Sequence, residues 1–208
     1  MFAIFKNTLL LVSISLLVAS CSTMNKSECL TADWRTIGYG DGANGQPASR
    51  ISKHRSACAE HGVTPNLAAY NTGRNEGLAQ HCIPSTGYNK GLSGSKYNGI
   101  CKGHNEAAFV DALDFGLAVN KEQSTLNQMK SAYSNEQSRI RNLNRKLKRT
   151  ENQITSGKMS ELDRYKLIQK TKRMAEELGA AKSNLGPLSD DISQQEQRVA
   201  DLKSQRTF

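Results

Sequence analysis

Apolar residues are spread along this 208-residue chain in three patterns. Thr8 to Val18 is an almost unbroken apolar run of eleven residues. A membrane-spanning helix needs roughly 20, so the run reads as the core of a signal peptide, preceded by the positive Lys6 and amino terminus. Far downstream, Leu126, Tyr133, Ile140, Leu147 and Ile154 recur every seven residues. Met129 and Leu143 hold the intermediate position, which polar Glu136 and Thr150 weaken. Such a repeat over about four heptads predicts a coiled-coil seam. Its first helix is expected over 118–155, about 55 Å long. Ser156-Gly157-Lys158 predicts a turn. A second helix is expected from Ser160 to Ser183, with Leu162, Leu167, Ile168, Met174 and Leu178 inside. Leu185-Gly186-Pro187 predicts a break, and Ser189 a cap for a last helix with Ile192, Val199 and Leu202 on its apolar face.

The third pattern, between Gly38 and Gly116, is neither an apolar run nor a heptad. Tyr39 precedes Gly42 and Gly45, Tyr70 precedes Gly73 and Gly77, and Tyr88 precedes Gly91 and Gly94; Phe109, Ala112 and Gly116 form a degenerate fourth copy. Trp34, Gly38 and Gly42 are also spaced to share one helix face. A glycine inside a helix costs about 1 kcal/mol relative to alanine. Repetition therefore calls for a return, namely close approach of a backbone or a ring, and the pattern predicts four short helical turns with rings packed on glycine faces. Helices are expected over 32–45 and 48–61, joined by a tight turn at Gln46–Pro47. Gly40, Gly42 and Gly45 match a dinucleotide-binding fingerprint, but Asp33-Trp34-Arg35-Thr36 is a poor strand to precede it, and no cofactor is expected. The fold class that follows is mainly α: a small glycine-rich helical module over 29–116, then long antiparallel coiled-coil helices over 117–208.

Export changes how the five cysteines read. Val18-Ala19-Ser20-Cys21 looks like a lipobox, in which the Cys21 thiol is acylated and residues 1–20 are removed, leaving 21–28 as a lipidated linker. Ser22 is not the aspartate associated with retention in an inner membrane, so an outer-membrane anchor facing the periplasm is expected. Cys29, Cys58, Cys82 and Cys101 then form an even set in an oxidising compartment. Antiparallel packing of the first two helices favours Cys29–Cys58, with Cys82–Cys101 closing a glycine-rich loop. The rival reading is a metal site from His54, Cys58, His61, Cys101 and His104; His81 also adjoins Cys82.

Asp33-Trp34, Gly38, Asp41-Gly42, Gly45, His54, Cys58, Tyr70, Gly73-Arg74, Glu76-Gly77-Leu78, Cys82, Gly87, Gly91, Gly94, Tyr97-Asn98-Gly99 and Cys101 carry a resemblance. Over about residues 29–116 the chain is similar to a family of small Gram-negative lipoproteins designated only as a domain of unknown function, number twenty-seven ninety-nine. The resemblance implies an envelope location, assigns no activity and supplies no catalytic residues.

Charge adds one more expectation. The chain carries 28 Lys and Arg against 19 Asp and Glu. Twelve of the former and three of the latter lie between Arg139 and Arg173. Folding the arm at Gly157 places Arg145, Lys146, Lys148 and Arg149 beside Lys170, Lys172 and Arg173 at the end of a hairpin. That end suits an acidic envelope polymer or an acidic protein, whereas export argues against nucleic acid. The heptads also allow pairing between copies of the chain. In the module, Trp34, Asp41, Tyr70, Arg74 and Glu76 are the binding candidates, with Arg74 or Glu76 expected to pair with Asp41. An envelope hydrolase using Asp41 and Glu76 as an acid–base pair is the enzymatic alternative to a non-enzymatic binding protein.

Overall fold

The computed structural model describes residues 24–206. The signal-peptide and lipobox reading, including Cys21, lies outside them. The described residues form seven helices and no strand: α1 Lys26–Leu30, α2 Trp34–Ala43, α3 Arg50–Ala59, α4 Leu67–His81, α5 Pro84–Leu92, α6 Glu106–Thr155 and α7 Glu161–Ser204. They fall into two compact units, one comprising residues up to Ile83 together with Asn98–Ala107, the other comprising Pro84–Tyr97 and everything from Ala108. This grouping differs from the expected 29–116 and 117–208 division, because α5 packs on the start of α6.

In the first unit, local side chains start the helices. Asn25 and Glu28 form a reciprocal capping box on α1, Asp33 accepts from the backbone N–H groups of Arg35 and Thr36, and Asn66 accepts from that of Ala69. Helices α2 and α4 then meet backbone to backbone. A Cβ added at Gly38 would lie 2.0 Å from the Tyr70 carbonyl oxygen, and one at Gly42 2.2 Å from that of Arg74. Reciprocally, a Cβ on Gly73 would lie 1.8 Å from the Arg35 oxygen, and one on Gly77 2.1 Å from the Tyr39 oxygen. The register advances in the same direction on both helices, so they run parallel. The expectation of rings on glycine faces is corrected here: the partner backbone occupies those faces, and Tyr39 is 44% exposed. Gly45, just past the end of α2, adopts φ +64°, and an added Cβ there would also strike the His81 ring. The dinucleotide fingerprint is therefore accounted for by packing at Gly42 and a turn at Gly45. Met24, Trp34, Ile51, Tyr70 and the Cys29–Cys58 pair form the core beside this crossing. Both expected bridges are present, Cys29–Cys58 and Cys82–Cys101, with Cα–Cα distances of 5.4 and 5.5 Å.

The second unit repeats the device. Gly87 and Gly91 of α5 meet the Phe109 and Leu113 carbonyl oxygens of α6, and Gly116 meets that of Tyr88. Tyr88 stacks on Phe115 with centroids 5.9 Å apart. Helix α6 thus begins at Glu106 rather than near 118, absorbs the fourth copy of the pattern, and runs 50 residues, about 75 Å. Gly157, at φ +71°, turns the chain, and Ser160 caps α7.

Helix α7 corrects two further expectations. It passes through Pro187 without the break anticipated at 185–187, so Ser189 is an interior residue and not a cap. An interior proline costs about 3 kcal/mol. Contacts on both sides of it offset this: Met174, Leu178 and Ala181 before it and Gln195 and Val199 after it are all buried, while Pro187 itself is exposed. The helices are antiparallel, with Leu143 against Met174 and Leu178, Gln195 donating to the Glu122 carbonyl oxygen at 3.0 Å, and Arg206 paired with Asp111. Leu162 and Ile168, expected inside, are 62% and 47% exposed.

Candidate functional site

Asp41 is the centre of a polar cluster in the first unit. Its Oδ2 accepts from the Tyr70 hydroxyl and from His54 Nε2, both at 2.8 Å. Arg50 Nε faces its Oδ1 at 4.0 Å. The glycine crossing brings α2 onto α4 and so places Tyr70, wholly buried, beside Asp41. The expected pairing of Asp41 with Arg74 or Glu76 is not what forms. Arg74 donates to the Gln46 carbonyl oxygen at 2.9 Å, and Glu76 forms an exposed pair with Arg35 at 2.5 Å. Trp34 belongs to the apolar core. Asp41 and Glu76 therefore have separate partners. His54 Nδ1 is buried without a hydrogen-bond partner among the described residues. His54 and Arg50 are members of the cluster that charge spacing alone does not single out. The signal that could have found them is the i, i+4 spacing Arg50–His54–Cys58 on the helix that the first disulfide pins. Cys58 and Cys101, claimed by the metal reading, belong to two different bridges, and no set of three His, Cys, Asp or Glu among the described residues is placed to hold a metal ion.

Burial pushes the Tyr70 hydroxyl well above its ordinary value of 10.0, and its bond to Asp41 and that carboxylate's charge push it further. The folded phenol thus keeps its proton to higher pH than the unfolded one. Stability from this group is complete below about pH 10 and falls as pH rises beyond it. In urea titrations from about pH 8 to about pH 11, Tyr70→Phe is expected to flatten that decline. An unchanged slope in the variant would remove Tyr70 as its source.

The second unit supplies a different surface. Lys146 and Arg149 of α6 and Lys170 and Arg173 of α7 line one cleft of about 500 Å³ with Leu143 and Met174. Glu177 is the one acidic residue lining it. None of the four cations takes part in a salt bridge among the described residues. Lys146 and Arg149, like Lys170 and Arg173, are i, i+3 like-charge pairs, each unfavourable by about 0.2–0.5 kcal/mol. Arg145 instead donates to the Asn142 side chain, and Lys148 and Lys172 are exposed outside the cleft. Four of the seven expected basic residues therefore converge, because the antiparallel register sets 146–149 opposite 170–173.

Two parallel glycine crossings, two disulfides and a basic antiparallel hairpin thus define an all-helical protein with a stapled glycine-rich domain. Residues 33–118 match the family described as a protein of unknown function (DUF2799), and that segment is a domain of this family. The matched span ends two residues beyond Gly116, so it contains both glycine crossings and leaves nearly all of the hairpin outside. No curated protein and no solved structure matches the chain.

Proposed function

We propose that this is a non-enzymatic, lipid-anchored protein of the cell envelope, whose basic hairpin end binds an acidic envelope component. The observation that carries the reading is the convergence of Lys146, Arg149, Lys170 and Arg173 on one cleft without compensating ion pairs among the described residues. A bound polyanion relieves their mutual repulsion and releases its own counterions, which makes such binding sensitive to salt. The lipobox-like Val18-Ala19-Ser20-Cys21 and the two disulfides support an exported, anchored protein. The non-enzymatic reading rests on Asp41, whose carboxylate is engaged by Tyr70, His54 and Arg50, and on Glu76, held by Arg35.

Titration of the full chain, in neutral detergent, with polyphosphate tests the charge-based reading. Binding is expected to weaken steeply between low and physiological salt. Combined Lys146→Glu, Arg149→Glu, Lys170→Glu and Arg173→Glu is expected to reduce affinity by more than about tenfold. Affinity indifferent to salt, or retained in the charge-reversed chain, would refute it.

A further inference from the structure

The first turns of α7 carry an apolar stripe that the packing of the hairpin leaves uncovered. Leu162, Tyr165 and Ile168 are 62%, 61% and 47% exposed. They are three residues apart, so they lie along one side of the helix. The seam faces elsewhere: Met174 and Leu178 are buried against Leu143. By the same helical arithmetic, Lys172 and Arg173 flank the stripe together with Lys166, which pairs with Asp163 at 3.9 Å, and Glu161 lies one turn before Tyr165 on the same side. Arg164 precedes Tyr165 directly, and the cleft holding Lys146, Arg149, Lys170 and Arg173 begins one to two turns further along. Among the described residues the other exposed large apolar side chains, Leu30, Tyr39, Leu67 and Ile83, lie on different segments of the chain, which is ordinary for a protein surface; here three are grouped on one helix, with Lys172 and Arg173 beside them.

We infer that this end of the hairpin docks on a surface of anionic phospholipids, with Leu162, Tyr165 and Ile168 entering the boundary between headgroups and acyl chains. The inference rests on the anion-binding reading above and names its partner. A soluble polyanion would engage the cations but has nothing to cover the apolar stripe. An acidic protein could cover it, but only with a matching apolar patch. A lipid surface presents both layers in the required order: negative headgroups outside, hydrocarbon beneath. Tyrosine suits that boundary because its ring is apolar and its hydroxyl stays at the wet edge. Lysine and arginine suit it because their stems lie along apolar surface while their charged ends reach phosphate. The stripe spans less than two turns, so the contact is an interfacial one. No described helix is long and apolar enough to cross a membrane.

The test uses the full chain reconstituted in vesicles, with Tyr165→Trp as a reporter and bromine on the lipid acyl chains as quencher. The parent chain, whose Trp34 is buried in the first unit, supplies the background to subtract. In vesicles containing phosphatidylglycerol, the reporter's emission is expected to shift to the blue and to be quenched. In pure phosphatidylcholine it is not. Adding Leu162→Ser and Ile168→Ser is expected to abolish quenching while polyphosphate binding stays within about twofold of the parent chain. Both residues are exposed, so helix content measured by circular dichroism should not change. Quenching that persists in the serine variant, or that is equal in neutral vesicles, overturns the lipid inference and leaves the anion-binding reading standing. Loss of polyphosphate binding by the parent chain removes that reading itself. A blue shift without bromine quenching, accompanied by crosslinked dimers, assigns the stripe to a second copy of the chain and overturns the lipid assignment.

Discussion

Gly73→Ala is expected to lower stability by about 3 kcal/mol or more, although helix propensity alone predicts a gain of about 1 kcal/mol. The added carbon would sit 1.8 Å from the Arg35 carbonyl oxygen and 2.7 Å from its carbonyl carbon. Both atoms are helix backbone and cannot rotate away, so α2 and α4 must part. Parting them draws Tyr70 away from Asp41, which it bonds at 2.8 Å, and opens the core around Trp34 and Ile51. Gly38→Ala, Gly42→Ala and Gly77→Ala are expected to act alike, since each carbon would lie within 2.2 Å of a carbonyl oxygen. Gly40 is the internal control. It sits in the same helix with nothing within 4 Å of its would-be Cβ, so Gly40→Ala should stabilise by about 0.5–1 kcal/mol. Urea denaturation of the four variants beside Gly40→Ala decides the matter. A shared sign for Gly40→Ala and Gly73→Ala would mean that the backbones are not in contact.

Removing the Cys29–Cys58 bridge by a double alanine substitution is expected to cost about 3.5 kcal/mol from chain entropy alone. The estimate follows from the 29-residue separation of the two cysteines. The loss should exceed this figure, because both sulfurs are buried core atoms: Cys29 is 1% and Cys58 0% exposed. The same bridge holds α1 on α3 and places Met24 in the core cluster. The Cys82–Cys101 bridge closes a shorter separation of 19 residues and should contribute about 3 kcal/mol. Its removal is expected to free the 98–107 segment from the end of α4, where Cys82 caps the helix. Denaturation of each double variant, with the remaining bridge intact by mass, measures the two separately. A loss below about 1 kcal/mol from either would show that the thiols hold that part of the fold equally well unlinked.

Sequence pattern located the helices where one local rule dominated. Asp41, Tyr70 and the four bridged cysteines stood out as residue types that a small helical module does not carry idly. The partners of Asp41 did not: Arg74 or Glu76 was the expected partner, yet His54 and Arg50 face it because the first disulfide and the Pro47 turn bring α3 back beside Asp41. The basic cluster was visible as a count of charges. Its resolution into a four-cation cleft, with Arg145, Lys148 and Lys172 outside it, depended on helix phase across the turn at Gly157. The exposed stripe at Leu162, Tyr165 and Ile168 was hidden for the same reason, since an apolar residue at helical spacing reads as core until its neighbours are known.

What the sequence determined by itself is whatever short-range physics decides. This covers the helical class, the turn at Gly157, the seam of the hairpin and the even set of four cysteines. Tertiary structure alone decided that glycine faces meet backbone and not rings, that α6 runs unbroken from Glu106, and that α7 continues through Pro187. Each of these sets a local cost of about 1–3 kcal/mol, for glycine or proline in a helix, against contacts made by residues distant in sequence. Local pattern states the cost, whereas the compensating term exists only once the two helices lie side by side.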